Sequence, residues 1–433
     1  MSVFRNACIL HAIGLGFCGV WACGDDVSYG PDSGPPKSDA TIDQSAGDGG
    51  SDATLGPKLL MTYSAAKGEL TSFAIATKTV ASHVTLPGFE ETQWSGADLF
   101  LLGESATDTI AKLDPATGTN VLASWNVALS DAVDGGEASA DPVQVVEVAP
   151  NKAYVLRFNR NRIAIIDPSQ SADAGVPTGS IDLSSLKQAS DHDTHVDMTG
   201  AVFDASRKRL YVVLGNIDIN FVDPQGYFLL CAGTKSTLVA IDTTNDTLVS
   251  LGGTGPGGGV ALNGYNPQVG IFGGTILDVA GDRVIVFSAG CNPPGVGDAG
   301  AGPLQGRLVE AVDLKTNTTT TLLDANAQQY PGQLLWLDAT HAYIQFGYGA
   351  FSQTFAWDPT QTTLGAQLPK TPDVFDYDDA GHILGPQSTY ESDGAAGPTN
   401  VISVTLADGG TVQLGQNPFT QTGGYIGNAT YVP

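Results

Sequence analysis

An apolar strand ending in Asp or its equivalent, then a short polar turn, then a second strand, recurs along this chain at intervals of roughly 50 residues. The clearest copies are Ile110-Ala111-Lys112-Leu113-Asp114 with Asn120-Val121-Leu122, Val239-Ala240-Ile241-Asp242 with Thr247-Leu248-Val249, and Ala311-Val312-Asp313 with Thr319-Thr320-Thr321-Leu322. Weaker copies surround Phe73-Ala74-Ile75, Ile165-Ile166-Asp167, Phe355-Ala356-Trp357-Asp358 and Val404-Thr405-Leu406, which makes seven. Most are preceded by another strand pair joined by a tight turn, as in Val145–Val148 to Ala153–Leu156 and Ala201–Phe203 to Leu210–Val213. No stretch offers a sustained helical period, and Gly, Pro, Asn and Asp bound the runs. A unit this small cannot bury its faces alone and must stack on its neighbours. Four strands in each of seven units predict an all-β, seven-bladed β-propeller of four-stranded antiparallel blades. The first unit lacks its opening strand, while residues 424–431 supply one without a blade. The C-terminal strand is therefore expected to complete blade one and close the ring, which removes free sheet edges.

The 433 residues could hold two or three ordinary domains, but large all-β folds run as one unit. The organisation expected is a signal peptide over 1–22, a tether over 23–57 and a propeller over 58–433. With 45 acidic against 19 basic residues, the net charge is -26. So strong an acidic excess repels phosphate backbones, and no segment carries a basic patch, which excludes nucleic acid as a main partner.

Arg5 precedes an apolar stretch from Ala7 to Val20, the length of a signal h-region rather than a membrane span. The junction Val20-Trp21-Ala22-Cys23 resembles the lipobox of bacterial lipoproteins, which implies cleavage after Ala22 and lipidation of Cys23. Ordinary signal-peptidase cleavage at the same bond, or an uncleaved anchor, are the alternatives. Residues 24–57 carry seven Asp against the single Lys37 and almost no large apolar groups. Such a segment cannot offset its ordering entropy and is expected to be a disordered tether, about 30 Å long on average. The expected address is the cell envelope, lipid-anchored outside the inner membrane. Cys8 and Cys18 fall in the part removed, so the domain keeps Cys231 and Cys291. In an oxidising compartment these can form one bridge, with free buried thiols as the alternative.

From Lys58 to Pro433 the chain resembles bacterial seven-bladed propellers with YVTN-type repeats, quinoprotein-like relatives included. The resemblance rests on Tyr154-Val155 and Tyr211-Val212, followed by the strands ending at Asp167 and Asp242. Those are packing and turn positions, so it implies a fold and no activity.

Antiparallel succession puts the first-to-second and third-to-fourth connections of every blade on one face, and the second-to-third and blade-to-blade connections on the other. Apart from residues 168–177 the first set is short. The second holds insertions at 127–141, 184–196, 215–235, 252–271, 289–306 and 386–400. Long loops gathered on one face of a rigid scaffold are where binding usually happens, although loops also lengthen by drift. Both Cys231 and Cys291 lie in such insertions, of blades four and five.

Three loop groups are candidates for function. Asp191, His192 and His195 could hold a divalent metal such as Zn, Ni or Mn, the bland reading being a solvated polar loop. Asp131, Asp134, Glu137 and Asp141 form an acidic loop that could meet a partner or wrap calcium, or could simply be mobile. Phe221, Tyr227, Phe228, Leu229 and Leu230 could anchor a partner or fold back over the channel mouth. There is no G-x-S-x-G elbow and no H-E-x-x-H, and Gly252–Gly259 reads as a flexible loop without the Lys of a phosphate site. No cofactor is required by any motif. The functional expectation is a tethered, monomeric binding or scaffolding protein whose long-loop face meets a protein or glycan. The alternative is a metal-assisted lactonase or hydrolase at the channel mouth, carried by some of Asp191, His192, His195 and Asp141.

Overall fold

The computed structural model describes residues 56–63, 68–103, 107–129, 139–171, 175–191, 195–218, 221–222, 229–231, 233–269, 274–293, 304–328, 331–347, 352–378, 380–388, 399–406, 409–417 and 426–433. Blade one holds β1 (Lys58–Tyr63), β2 (Glu69–Ala74) and β3 (Thr79–Thr85). Blade two holds β4 (Glu91–Ser95), β5 (Asp98–Gly103), β6 (Thr109–Leu113) and β7 (Val121–Asn126). In blade three are β8 (Pro142–Ala149), β9 (Lys152–Arg157), β10 (Arg162–Ile166) and β11 (Gly179–Asp182). Blade four comprises β12 (Met198–Asp204), β13 (Arg209–Leu214), β14 (Thr237–Asp242) and β15 (Thr247–Val249), with the short β16 (Val260–Ala261) also on β14. Blade five has β17 (Thr275–Asp278), β18 (Arg283–Phe287), β19 (Leu308–Asp313) and β20 (Thr318–Asp324), and blade six β21 (Pro331–Trp336), β22 (Ala342–Phe346) and β23 (Gln353–Trp357). Blade seven is β24 (Asp376–Tyr377), β25 (His382–Gln387), β26 (Thr399–Thr405) and β27 (Thr411–Asn417). The last strand, β28 (Ile426–Val432), pairs antiparallel with β1, Lys58 opposite Val432. The chain is thus a seven-bladed propeller closed by its C-terminal strand. In blade six the fourth position is an irregular segment, in which Ala366 and Leu368 bond β23 without forming a ladder.

Alternation explains the packing. The second strands are buried on both sides, so their residues read as unbroken apolar runs. Tyr154 and Leu156 of β9 enter a cluster shared with blade four, while Ala153 and Val155 enter one shared with blade two. Tyr211 and Val213 of β13 likewise face blade five, and Leu210, Val212 and Leu214 face blade three. Among the described residues every apolar cluster lies between two adjacent blades. The Tyr-Val pairs are therefore packing positions.

First strands of neighbouring blades contact one another, β28 with β4, β4 with β8, β8 with β12 and β12 with β17, which places them around the axis. Their free edges would leave backbone donors and acceptors unpaired, and a side-chain amide can satisfy one of each. Gln144 accepts from Ala201 N at 2.7 Å and donates to Ala201 O at 3.1 Å. Gln333 does the same to Phe375, at 2.8 and 3.1 Å. Asn428 accepts from Thr92 N at 3.0 Å and donates to Thr92 O. Single bonds join Gln93 to Val145 N (2.8 Å), Gln268 to Gly332 O (3.3 Å), and Tyr431 N to Asp376 (2.7 Å). These clasps run around most of the ring from each blade into a neighbour.

The glycine-rich stretch differs from expectation. Gly252–Gly259 is a compact turn rather than a flexible loop: Leu251 N and Gly253 N both donate to Gly258 O, and Gly255 N donates to Gly259 O. Gly252, Gly257 and Gly258 lie at positive φ (71°, 63° and 75°), where a side chain would be strained, so glycine is needed for shape.

Candidate functional site at the channel mouth

At the long-loop end, four innermost strands are entered through an acidic residue: Glu90 before β4, Asp141 before β8, Asp197 before β12 and Asp373 before β24. Each is tied by its backbone to the far end of the second strand. Glu90 N donates to Leu102 O (2.9 Å), Phe158 N to Asp141 O (2.8 Å), Gly215 N to Asp197 O (2.7 Å) and Asp373 N to Pro386 O (2.8 Å). Asn266 takes the same place in blade five, its carbonyl accepting from Ala289 N at 2.7 Å. The result is an acidic collar at the axis.

The collar is densest between blades two and four. Asp108 accepts from Ser139 Oγ at 2.7 Å and from Ala140 N at 2.5 Å, and Asp141 N donates to Ser139 Oγ at 3.0 Å. Asn159 Nδ2 donates to Ser139 O at 3.5 Å, and Arg160 Nη1 to Asn159 O at 2.7 Å. Arg157, fully buried, donates to Val127 O (3.2 Å), Ala128 O (3.0 Å) and Arg162 O (2.9 Å), which fixes where the 127–141 insertion starts. From blade four, His195 Nδ1 lies 3.1 Å from Asp197 Oδ1, and Asp197 Oδ2 accepts from Ile217 N at 2.6 Å. His195 and Asp197 are both 0% exposed, and Asp191, before them in sequence, and Asp218, next to Ile217, are buried as well.

Loss of water dominates the electrostatics. Asp141, only partly exposed, is pushed up to about 7 by burial, then by the neighbouring carboxylates Glu90 and Asp108; His195 and Arg160 draw it back. Burial also raises Asp197, to about 6, against the pull of His195 and the Ile217 amide, with Asp191 adding to the rise. Burial raises Asp373 too. The mouth therefore holds carboxyl groups that exchange protons near neutral pH.

Beside this cluster the insertions of blades four and five form a canopy. Val222 bridges Leu229 antiparallel, Leu230 bridges Asn292 in parallel, and Cys291 bridges Gln305 antiparallel. Cys231 N donates to Asn292 O at 2.8 Å and Asn292 N to Leu229 O at 3.0 Å. The Cys231–Cys291 disulfide, with Cα atoms 5.1 Å apart, staples the two loops together as expected. Leu229 folds back on the blade three and four core, while Phe221 remains 36% exposed.

The opposite face is built differently, with charged side chains stitching turn to turn. Lys152 meets Asp246 at 2.6 Å and Tyr154 Oη donates to the same carboxylate at 2.5 Å, joining blade three to blade four. Arg207 bonds Asp204 and Asp282, and Lys315 meets Asp282 at 3.1 Å. In blade two, Lys112 meets Asp98 at 2.7 Å and reaches Pro168 O of blade three at 3.1 Å. Lys58 Nζ donates to Pro115 O at 2.6 Å. Much of the scarce basic charge is committed here.

Of the residues singled out in the sequence, Cys23, Asp131, Asp134, Glu137, His192, Tyr227 and Phe228 lie outside the described residues. Asp191 and His195 are not part of a solvated loop: both are buried, because residues 195–197 enter the core seam between blades three and four as β12 begins. His195 turns its Nδ1 to Asp197, and among the described residues no three of His, Cys, Asp and Glu converge to hold a metal. Asp141 does sit at the mouth. Sequence reasoning missed Asp108, Asn159, Arg160 and the role of Asp197. One signal was available, the Asp141-Pro142 and Asn266-Pro267 steps that mark the same position in blades three and five.

No protein-family model matches the chain, and no curated protein matches it. Among solved structures it is similar to a provisionally assigned 6-phosphogluconolactonase of Bacteroides fragilis, with 12% identity and a TM-score of 0.54 over 89% of this chain and 100% of that one. It is also similar to the dihydro-heme d1 dehydrogenase NirN, with 10% identity and a TM-score of 0.50 over 87% of this chain and 75% of that one. At such identities the likeness shows a common fold alone.

Proposed function

We propose that the chain is an exported protein, lipid-anchored through Cys23 in the cell envelope, that binds a protein or glycan partner through its long-loop face. The observation that supports this most is the division of labour between the faces. Turns on one side are stitched by ion pairs, each worth little alone but limiting their motion as a set. The other side carries the stapled canopy with exposed Phe221 and the collar of carboxyl groups. Aromatic groups on a rigid, preorganised loop surface are what partner binding uses.

Recovery of a partner from envelope extract tests this reading. Phe221→Ala, or charge reversal at Asp134 and Glu137, should abolish recovery with the melting temperature nearly unchanged. Lys315→Ala on the opposite face is the control, since that side chain is 74% exposed. Asn317 is no control, because its amide holds Leu251 O at 2.5 Å. Loss of recovery from Lys315→Ala alone would place the interface on the other face.

A hydrolase reading draws on a different observation. Asp141, titrating near 7 beside His195, is suited to take a proton from water or return one to a leaving group. Lactone hydrolysis lost in Asp141→Asn would support it, and no turnover across a lactone panel would remove it.

A further inference from the structure

The collar repeats one arrangement in consecutive blades. Asn159 N donates to Ala140 O and Asn216 N to Val196 O, both at 3.2 Å, so each Asn stands across the backbone from the residue preceding Asp141 or Asp197. Both side chains are deeply buried, 2% and 1% exposed. Their Nδ2 groups are used, toward Ser139 O and Lys235 O. Both Oδ1 atoms are buried without a hydrogen-bond partner. A buried acceptor left so costs about 1–3 kcal/mol, and such an atom persists where something else completes it. Two amide oxygens, the Asp141 and Asp197 carboxyls and the adjoining Asp108 and Glu90 make the neighbourhood rich in acceptors. Of the nearby donors, Arg157 is turned to the Val127 and Ala128 carbonyls, Arg160 Nη1 to Asn159 O, and His195 Nδ1 to Asp197.

We propose that this part of the mouth, between blades two and four, binds a primary ammonium group, carried by a free diamine or by a lysine side chain. It deepens the reading of the long-loop face as a binding surface and rests on it. An ammonium is a compact charge with three donors and no acceptor, which suits surroundings rich in oxygens. Entry lies past Asp141 and Asp108, both partly exposed. A divalent metal needs a convergent ligand set, which the described residues do not form. A quaternary ammonium needs aromatic walls in place of acceptors.

The groups that face Asp141 are Glu90 before β4, Asp108 between β5 and β6, Arg160 after β9 and His195 before β12, with Asp191 acting on Asp197 behind them. An ammonium paired with Asp141 displaces its proton to solvent, so affinity should rise with pH through neutrality.

Calorimetry on the propeller domain within the full exported chain tests this, with 1,5-diaminopentane, choline and an acetyl-Gly-Lys-Gly-amide peptide as probes. The diamine or the peptide should bind at pH 8 and weaken at least tenfold by pH 5.5, and binding measured at about pH 6.5 should release a proton detectable as buffer-dependent heat. Which of the two binds identifies the source of the group. Choline should not bind, and Asp141→Asn should lower affinity at least tenfold. Absence of heat with both primary amines at pH 8, equal binding of choline, or unchanged affinity in a folded Asp141→Asn protein would overturn the proposal. The wild-type comparison of primary and quaternary amines decides the matter if the variant does not fold. Partner recovery that depends on Phe221 while no amine binds would sink this inference and leave the binding-face reading standing.

Discussion

Asp141 and Asp197 occupy one position in successive blades: each immediately precedes an innermost strand, and each sits in the left-handed region, at φ 55° and 49°. Asp tolerates that conformation better than most residues, because its short polar chain can bond locally. The repeat thus selects a residue type for backbone reasons and thereby delivers a carboxyl group to the mouth of the channel.

Stability should reflect both groups. Their folded pKa values, about 7 and about 6, lie above the unfolded value near 3.9. The folded protein then holds more protons than the unfolded one, so their contribution is complete below pH 4 and is lost as pH rises through 6 and 7. Asp338 acts in the opposite sense: Thr340 and His341 hold it at about 2, so its contribution is present above pH 4 and lost toward pH 2. The melting temperature should peak under mildly acidic conditions, and Asp141→Asn should flatten the decline between about pH 4 and 7. A melting temperature that climbs steadily from pH 5 to 8 would contradict this.

Removing the staple should loosen the whole domain as well as the canopy. The bridge closes a loop of 60 residues, and the double substitution Cys231→Ser with Cys291→Ser should cost about 2–4 kcal/mol in urea unfolding. An unchanged midpoint would show that the loops do not restrain the unfolded chain.

The Gln144 clasp gives a sharper test. Gln144→Leu keeps the volume but leaves the buried N–H and C=O of Ala201 without these partners, and should cost about 2–4 kcal/mol with the urea m-value unchanged. Gln413→Leu, on an exposed edge strand, should cost under about 0.5 kcal/mol. Equal losses would mean the clasps are incidental.

Cys23 should carry a diacylglyceryl group in the mature protein, and Cys23→Ser should release the chain from membranes. Mass spectrometry of the mature amino terminus decides it, an unmodified cysteine there being the adverse result.

What could be read in the sequence followed from periodicity. The runs around Tyr154 and Tyr211 are apolar because both sides of those strands are covered, and their spacing alone sets the number of blades. Strand direction then placed Cys231 and Cys291 on one face of adjacent blades, and the bridge is there. The mouth was less legible because its members come singly from distant turns: Asp108, Asp141, Asn159 and Asp197 are brought together by blade stacking, which no local pattern encodes. His195 shows the same limit, since its loop reads as polar and solvated although the ring is fully buried and turned to Asp197.

Lys58 opens β1 and Val432 closes β28, paired at the end of blade one where Lys58 also reaches the Pro115 turn. Both ends of the propeller therefore leave it through the stitched, short-turn side. A lipid-anchored, flexible segment attached before Lys58 would join the propeller on that side and leave the mouth on the side away from the attachment. The protein would stand off the membrane like a cup, its base about a tether's length from the lipid and its opening presented to whatever passes.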